Sequence, residues 1–230
     1  MRKNKNIVLS SLFILLIGLL WISLYWNVNY LLVSFAIVLI SILFFVARFE
    51  NKKIEARELV LLAVLAAIAA VGRIPFASIP SVQPTTFVIM MSGFVFGAES
   101  GLIIGAVAAL ASNMILGQGP WTPWQMVAWG LVGLTAGLIS KSWIMHSKWG
   151  RILFGILWGF FFGWIMNIWS LLAFTQISNA INIQSIVTYI VGSALFDLMH
   201  SISNVIFLLL FGESWIKILN RFKGKYGLLD

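Results

Sequence analysis

Apolar and charged stretches alternate along the chain, and the apolar stretches have the lengths of membrane-spanning helices. About 20 apolar residues cross the hydrocarbon core of a bilayer as a helix, and a helix enclosed by others can be shorter. The pattern predicts eight transmembrane helices: Ile7–Trp26, Tyr30–Ala47, Leu59–Gly72, Thr85–Gly97, Gly101–Leu116, Trp124–Ser140, Ile152–Phe174 and Ile186–Phe211.

The basic residues predict how these helices are oriented. Of the 15 Lys and Arg residues, all but Arg73 fall into four clusters, and an even number of predicted helices separates each cluster from the next. The positive-inside rule therefore places all four clusters and both termini in the cytoplasm, with Arg73 on the opposite face. The clusters are Arg2, Lys3 and Lys5; Arg48, Lys52, Lys53 and Arg57; Lys141, Lys148 and Arg151; and Lys217, Arg221, Lys223 and Lys225.

The most charged stretch divides the chain into two parts. We predict an N-terminal transmembrane hairpin over residues 1–47 and a charged cytoplasmic linker over 48–58. A six-helix core follows over 59–215, and a basic cytoplasmic tail over 216–230.

The composition indicates the class of protein. Hydrophobic residues make up 61% of the chain and charged residues 10%, with a mean hydropathy of +1.01. These values are typical of an all-α integral membrane protein. The net charge of +8 comes from cations that flank the predicted helices, so it indicates membrane insertion rather than nucleic-acid binding.

Motifs for catalysis are absent from the sequence. It has no cysteine, no HExxH, no G-x-S-x-G and no P-loop. We therefore predict no enzyme activity, no catalytic residue, no metal and no cofactor. Any ATP-driven work would come from partner proteins.

Polar residues also occur inside the predicted helices, where they are costly. Asp197, His200 and Asn204 share one face of the last helix, and Asn167 lies in the helix before it. We interpret these four residues as a buried hydrogen-bonded network, and the alternatives are a proton or ion relay and a ligand site.

Small residues recur at four-residue spacing on several core helices. Such stripes allow helix backbones to approach closely in a membrane. On the first core helix the alanines occupy more than one face, so one face can pack inside while another meets lipid or a partner. The stripes are Ala63 with Ala67, Ala66 with Ala70, Gly101 with Gly105 and Ala109, Gly133 with Gly137, and Gly155 with Gly159 and Gly163.

Two stiff loops are predicted on the same face as Arg73. Ile74–Pro84 contains three prolines, and Gly117–Gln125 contains two tryptophans and two glutamines. Together they present apolar, aromatic and amide groups, which suit a large and mostly neutral organic ligand with amide or phosphate groups. Anchoring of the tryptophans in the membrane interface is the alternative.

Residues Glu58–Ser140 resemble the substrate-binding S component of energy-coupling factor (ECF) vitamin transporters. The resemblance is carried by the alanine-rich helix LVLLAVLAAIAAVGR, by the proline-containing loop after it and by the run TTFVIMMSGFVFGAESGLIIGAVAALASN. With the six-helix pattern it extends over about residues 55–215.

The resemblance implies a function and a set of partners. A vitamin would bind near the outer face of the bacterial plasma membrane, beneath the loop Ile74–Pro84. A transmembrane coupling subunit and two cytoplasmic ATPases would drive uptake. The first core helix would dock on the coupling subunit through Ala63, Ala66, Ala67 and Ala70.

Within that family, the segments SVQPTTF and GQGPWTPWQM are most similar to the group assigned to cobalamin. Riboflavin or another heterocycle would also stack on tryptophan. Two other classes remain open: a proton-coupled carrier that uses Asp197 and His200, and a membrane scaffold that binds no small molecule. The candidate substrate-binding residues are Arg73, Gln83, Thr85, Asn113, Gln118, Trp121, Trp124 and Gln125.

Overall fold

The structure is a computed structural model that describes residues 56–178 and 183–226, together with Gly18, Leu32, Ala36 and Ile40. These four single residues are helical. Apart from them, the predicted N-terminal hairpin lies outside the described residues, as does the linker before residue 56. Within the described residues there is no strand, which agrees with the predicted all-helical class.

Six long helices and one short helix form the described part of the chain. The six long helices match the six predicted core helices in order and position. A single 3-10 turn, Ile74–Phe76, lies in the first loop. The helices are α1 (Ala56–Val71), α2 (Thr85–Phe96), α3 (Ala98–Leu116), α4 (Thr122–Leu138), α5 (Trp143–His146), α6 (Lys148–Ser178) and α7 (Ile183–Tyr226).

Four segments within the described residues are long and apolar enough to cross a membrane: Ala56–Phe76, Ala98–Leu116, Lys148–Phe174 and Ile183–Lys225. The helix α2 is not among them, because its 12 residues extend over only about 18 Å. Eleven of these residues are buried, so α2 is a core helix enclosed by α1, α3, α4 and α7.

The last two helices are longer than the sequence predicted. The helix α6 continues to Ser178, and α7 continues from Ile183 to Tyr226. Of residues 175–185, which separate the last two predicted helices, 175–178 and 183–185 are therefore helical, and 179–182 lie outside the described residues. The predicted basic tail is helical as far as Tyr226 and continues α7 without a break.

Glycines bring α3 and α4 into direct backbone contact. A Cβ on Gly101 or on Gly133 would collide with the backbone of the other residue, and a Cβ on Gly105 would collide with that of Trp129. A turn of one residue joins α2 to α3, and its φ of +94° at Gly97 is a conformation that glycine adopts without strain. The predicted stripes on α3 and α4 are thus packing surfaces.

Arg73 lies at the opposite end of the bundle from the two basic clusters that the structure describes in full, those at residues 141–151 and 217–225. Arg73 follows the end of α1 and lies near the end of α3 and the start of α4. At the other end, Lys223 Nζ donates to the carbonyl of Val95 at 3.2 Å, at the end of α2. Arg151 pairs there with Glu213. The first loop and the start of α4 therefore lie at the end with Arg73.

Candidate substrate-binding site

Both ends of the first loop lie next to the C-terminal end of α1. Gly72 and Arg73 continue α1 as a turn, with the Gly72 N–H bonded to the carbonyl of Ile68 at 2.9 Å. Gly72 is closely covered by the end of the loop, since a Cβ there would lie 2.7 Å from Pro84 Cγ. This contact places Gln83 beside Arg73.

Arg73 is the centre of a polar network at this end of the bundle. Its Nε donates to Gln83 Oε1 at 3.0 Å, and its Nη1 donates to Ser112 Oγ at 2.5 Å and to Asn113 Oδ1 at 2.9 Å. The guanidinium carbon lies 4.8 Å from the centre of the Trp129 ring, a cation–π contact. One side chain thus joins α1, the first loop, α3 and α4.

Asn113 extends this network to the second predicted loop. Its Nδ2 donates to Thr122 Oγ1 at 2.9 Å and to Gln125 Oε1 at 2.6 Å. The Thr122 hydroxyl donates to Gln118 Oε1 at 2.9 Å, and Gln118 Nε2 donates to the carbonyl of Leu110 at 3.1 Å. The amide groups therefore orient one another at the start of α4.

The structure brings five of the eight predicted site residues into this network. They are Arg73, Gln83, Asn113, Gln118 and Gln125. All five are amides or the single cation, and none is an acid.

The other three predicted site residues lie elsewhere. Thr85 is fully buried and donates to the carbonyl of Ala69 at 2.9 Å, so it ties α2 to α1. Trp124 is also fully buried and packs with Leu172 between α4 and α6. Trp121 is partly buried, with its ring 5.9 Å from that of Trp169. Trp124 and Gln125 are adjacent residues of α4, so their side chains point in different directions.

Four residues of the site were missed by the sequence analysis. Trp129 is fully buried, and its Nε1 donates to Thr86 Oγ1 at 3.0 Å. Thr122 and Trp129 lie three residues before and four residues after Gln125, so helical spacing from that residue points to both. No sequence signal indicates Ser112 or Thr86, because only the fold brings them to Arg73 and Trp129.

The predicted polar network of α6 and α7 is divided in the structure. Asn167, Asp197, His200 and Asn204 are all buried. Asn167 Nδ2 donates to Ser193 Oγ at 2.8 Å, and Ser193 Oγ lies 3.0 Å from Asp197 Oδ2. The contact of Asn167, like the bond from Asn204 Nδ2 to the carbonyl of Gly155 at 2.9 Å, joins α6 to α7.

His200 makes contacts that are separate from those of Asp197. Its Nε2 lies 2.7 Å from Thr86 Oγ1 on α2, and its ring packs edge-on against Phe162 with centroids 5.0 Å apart. Since Thr86 also accepts the indole N–H of Trp129, His200 connects to the Arg73 network. The expected single cluster with Asp197 is therefore not formed within the described residues.

The alanines of α1 fall on two faces. Ala66 and Ala70 are 2% and 3% exposed and pack inside the bundle, so the expectation that they contact a partner does not fit this structure. Ala63 and Ala67 are exposed. Only the second pair is accessible to a partner from outside.

A bundle with membrane-length apolar helices and one buried polar network near its end defines a multi-pass helical membrane protein with a candidate solute site. Residues 57–214 match the family described as "ECF transporter, substrate-specific component", and the chain belongs to this family. Members of the family are the substrate-binding subunits of transporters and act in the bilayer with an ECF module. No solved structure matches the chain significantly.

Proposed function

We propose that this chain captures a vitamin at the outer face of the bacterial plasma membrane for ATP-driven uptake by a coupling subunit and two ATPases. The observation that supports this most is the network around Arg73, which lies within the family match and at the end opposite the basic clusters. By the positive-inside rule, that end faces outward.

The chemistry of the network suits an organic ligand with several polar groups. Amides supply both donors and acceptors, Arg73 supplies positive charge, and Trp129 supplies an aromatic wall. In the structure these groups satisfy one another, so a ligand would exchange existing hydrogen bonds for its own. Cobalamin, which is rimmed with amides and contains a phosphate, is our first candidate, and riboflavin or another heterocycle is the second.

The exposed alanines of α1 are the proposed surface for the coupling subunit. Ala63 and Ala67 lie four residues apart on one face, which permits close helix approach in a membrane. The apolar side chains Val60 and Val64 border them and are 61% and 47% exposed.

The structure favours neither of the other classes. A proton relay would need Asp197 and His200 in one chain of hydrogen bonds, but their contacts lead to Ser193 and to Thr86. A scaffold anchored by the two tryptophans of the second predicted loop would need both rings exposed, but Trp124 is fully buried and Trp121 is partly buried.

Identification of the ligand that copurifies with the protein tests the proposed function. The full chain would be purified from vitamin-rich medium and analysed by absorbance and mass spectrometry. A stoichiometric corrinoid would support both the class and the ligand, whereas another vitamin would retain the class and overturn cobalamin. A protein without ligand, and without a thermal shift across a vitamin panel, would contradict the proposal.

A further inference from the structure

Arg73 is a partly buried cation whose contacts are all neutral. Within the described residues it interacts with two amide oxygens, one hydroxyl oxygen and one indole ring. The acidic residues of that part of the chain are Glu58, Glu99, Asp197 and Glu213. None of them pairs with Arg73.

Arg151, which is more deeply buried than Arg73, provides a comparison. Arg151 is 5% exposed, and its guanidinium pairs with the carboxylate of Glu213 while Nη1 donates to two backbone carbonyls. Buried charges in proteins are normally compensated in this way, because removing an ion from water is costly. Arg73 has the hydrogen bonds but lacks the counter-charge.

The arrangement also leaves part of the guanidinium available. A guanidinium has five N–H groups, and within the described residues those of Arg73 that donate are on Nε and Nη1. The two N–H groups of Nη2 are not used there. The surrounding contacts hold the plane of the guanidinium fixed, so the two N–H groups of Nη2 point in fixed directions and can donate to the oxygens of a carboxylate or phosphate.

We propose that the substrate carries a carboxylate or phosphate group, which binds Arg73 through Nη2 and supplies the missing counter-charge. This inference rests on the proposed function and narrows it to one chemical class. A neutral heterocycle such as riboflavin would leave Arg73 uncompensated. A phosphodiester such as that of cobalamin, or a free carboxylate, would compensate it.

Matched pairs of probes test this inference on the purified full chain. Each pair differs chiefly in an anionic group: riboflavin monophosphate with riboflavin, pantothenate with pantothenol, and biotin with biotinamide. Cyanocobalamin is added as the first candidate. Calorimetric titration should show binding only for probes with an anionic group.

Variants of Arg73 identify the group responsible. We expect Arg73→Gln to weaken binding of the anionic probe that binds the unmodified protein by about 10- to 100-fold, the usual effect of losing a hydrogen bond to a charged group. Arg73→Lys should retain part of the affinity because lysine keeps the positive charge but not the rigid planar set of N–H donors. Lys141→Gln removes an exposed cation at the other end of the bundle and should leave the affinity unchanged.

The possible outcomes separate the inference from the proposed function. A neutral probe that binds as tightly as its anionic partner, or an affinity unchanged by Arg73→Gln, would overturn the inference and leave the function standing. If no probe bound, both would be contradicted. Stabilisation by phosphatidylglycerol that is lost in Arg73→Gln would assign the anion to a lipid headgroup and overturn the substrate assignment.

Discussion

Trp129 connects the candidate site to the centre of the bundle. Its ring faces the guanidinium of Arg73, and its indole N–H donates to Thr86, whose hydroxyl also contacts His200. Trp129 is fully buried, so these interactions are shielded from water and strengthened by the low local dielectric. The position of Arg73 therefore depends on a fully buried residue, Trp129.

Replacement of Trp129 by Phe tests this dependence. The variant keeps an aromatic ring beside Arg73 but loses the hydrogen bond to Thr86 and leaves a small space. We expect the free energy of unfolding to fall by about 1–3 kcal/mol, measured by thermal unfolding in detergent. Trp143→Phe is the control because Trp143 is 70% exposed. Equal shifts in the two variants would contradict the prediction.

The candidate site was predicted from the sequence only where composition was informative. The isolation of Arg73 in the charge pattern and the glutamines of the two loops pointed to residues that do meet. The tryptophans were grouped with Gln125 because all of them lie in the stretch Gly117–Gln125, which was predicted as a loop. Because α4 starts at Thr122, Trp124 is rotated away from Gln125 and contacts α6 instead. The direction in which each side chain leaves the helix separates Trp124 from Gln125, and composition does not reveal it.

Among the helices, α6 and α7 are joined through a row of glycines. A Cβ on any glycine of this row would collide with a residue of α7. On α6, Gly155 faces Leu208 and Asn204, Gly159 faces Ser201, and Gly163 faces Asp197. The side chain of Asp197 lies directly against Gly163. The small residues thus allow polar side chains of α7 to reach the backbone of α6.

Gly163→Ala should disrupt this contact. The added methyl group would collide with the carboxyl group of Asp197, and such overpacking costs about 1–3 kcal/mol. Gly192→Ala on α7 is the matched control, since a Cβ at Gly192 meets no atom within 4 Å. It should be neutral or stabilising by about 0.5–1 kcal/mol, because alanine favours the helix. Thermal unfolding of both variants decides the prediction.

A second substitution distinguishes the collision from a general loss of helix packing. Asp197→Ala removes the carboxyl group that the new methyl group would meet. In a double-mutant cycle, Gly163→Ala should therefore cost less in the Asp197→Ala background than alone. Additive effects would show that the two side chains do not share this space.

Helix ends were predicted less well than helix positions. The apolar run ends at Phe174, yet α6 continues to Ser178 because a helix satisfies its own backbone hydrogen bonds whatever its side chains. The sequence after Phe211 was interpreted as a tail because of its charge. Trp215 and Leu219 pack against the core there while Lys217 and Lys225 are exposed, so α7 persists as an amphipathic helix.

At the scale of the whole molecule, the helical class and the family were predicted from hydropathy and from the alanine-rich segment, and both are supported by the structure and by the family match. The number of transmembrane helices and the side of each terminus stay predictions, because four segments of the described residues meet the criterion for a span. Short buried helices such as α2 carry the hydropathy of a span without its length.

Association with a coupling subunit should depend on the exposed face of α1. A bulky residue at Ala67, as in Ala67→Trp, would prevent close approach there without entering the core, since Ala67 points outward. We expect loss of copurification with a coexpressed ECF coupling subunit and an unchanged melting temperature.

A tryptophan elsewhere on the apolar surface is the control for that experiment. Leu209→Trp enlarges a side chain of α7 that is 49% exposed and should leave copurification intact. If both variants copurify normally, the exposed alanines are not the docking surface.

The length of α7 has a mechanical consequence. Its 44 residues extend over about 66 Å, and the hydrocarbon core of a bilayer is about 30 Å thick. Near the middle, Ser203 bonds the backbone of Gln83, the same residue that contacts Arg73. If α7 turned as a rigid rod about this contact, a rotation of about 10° would move its basic end by about 6 Å.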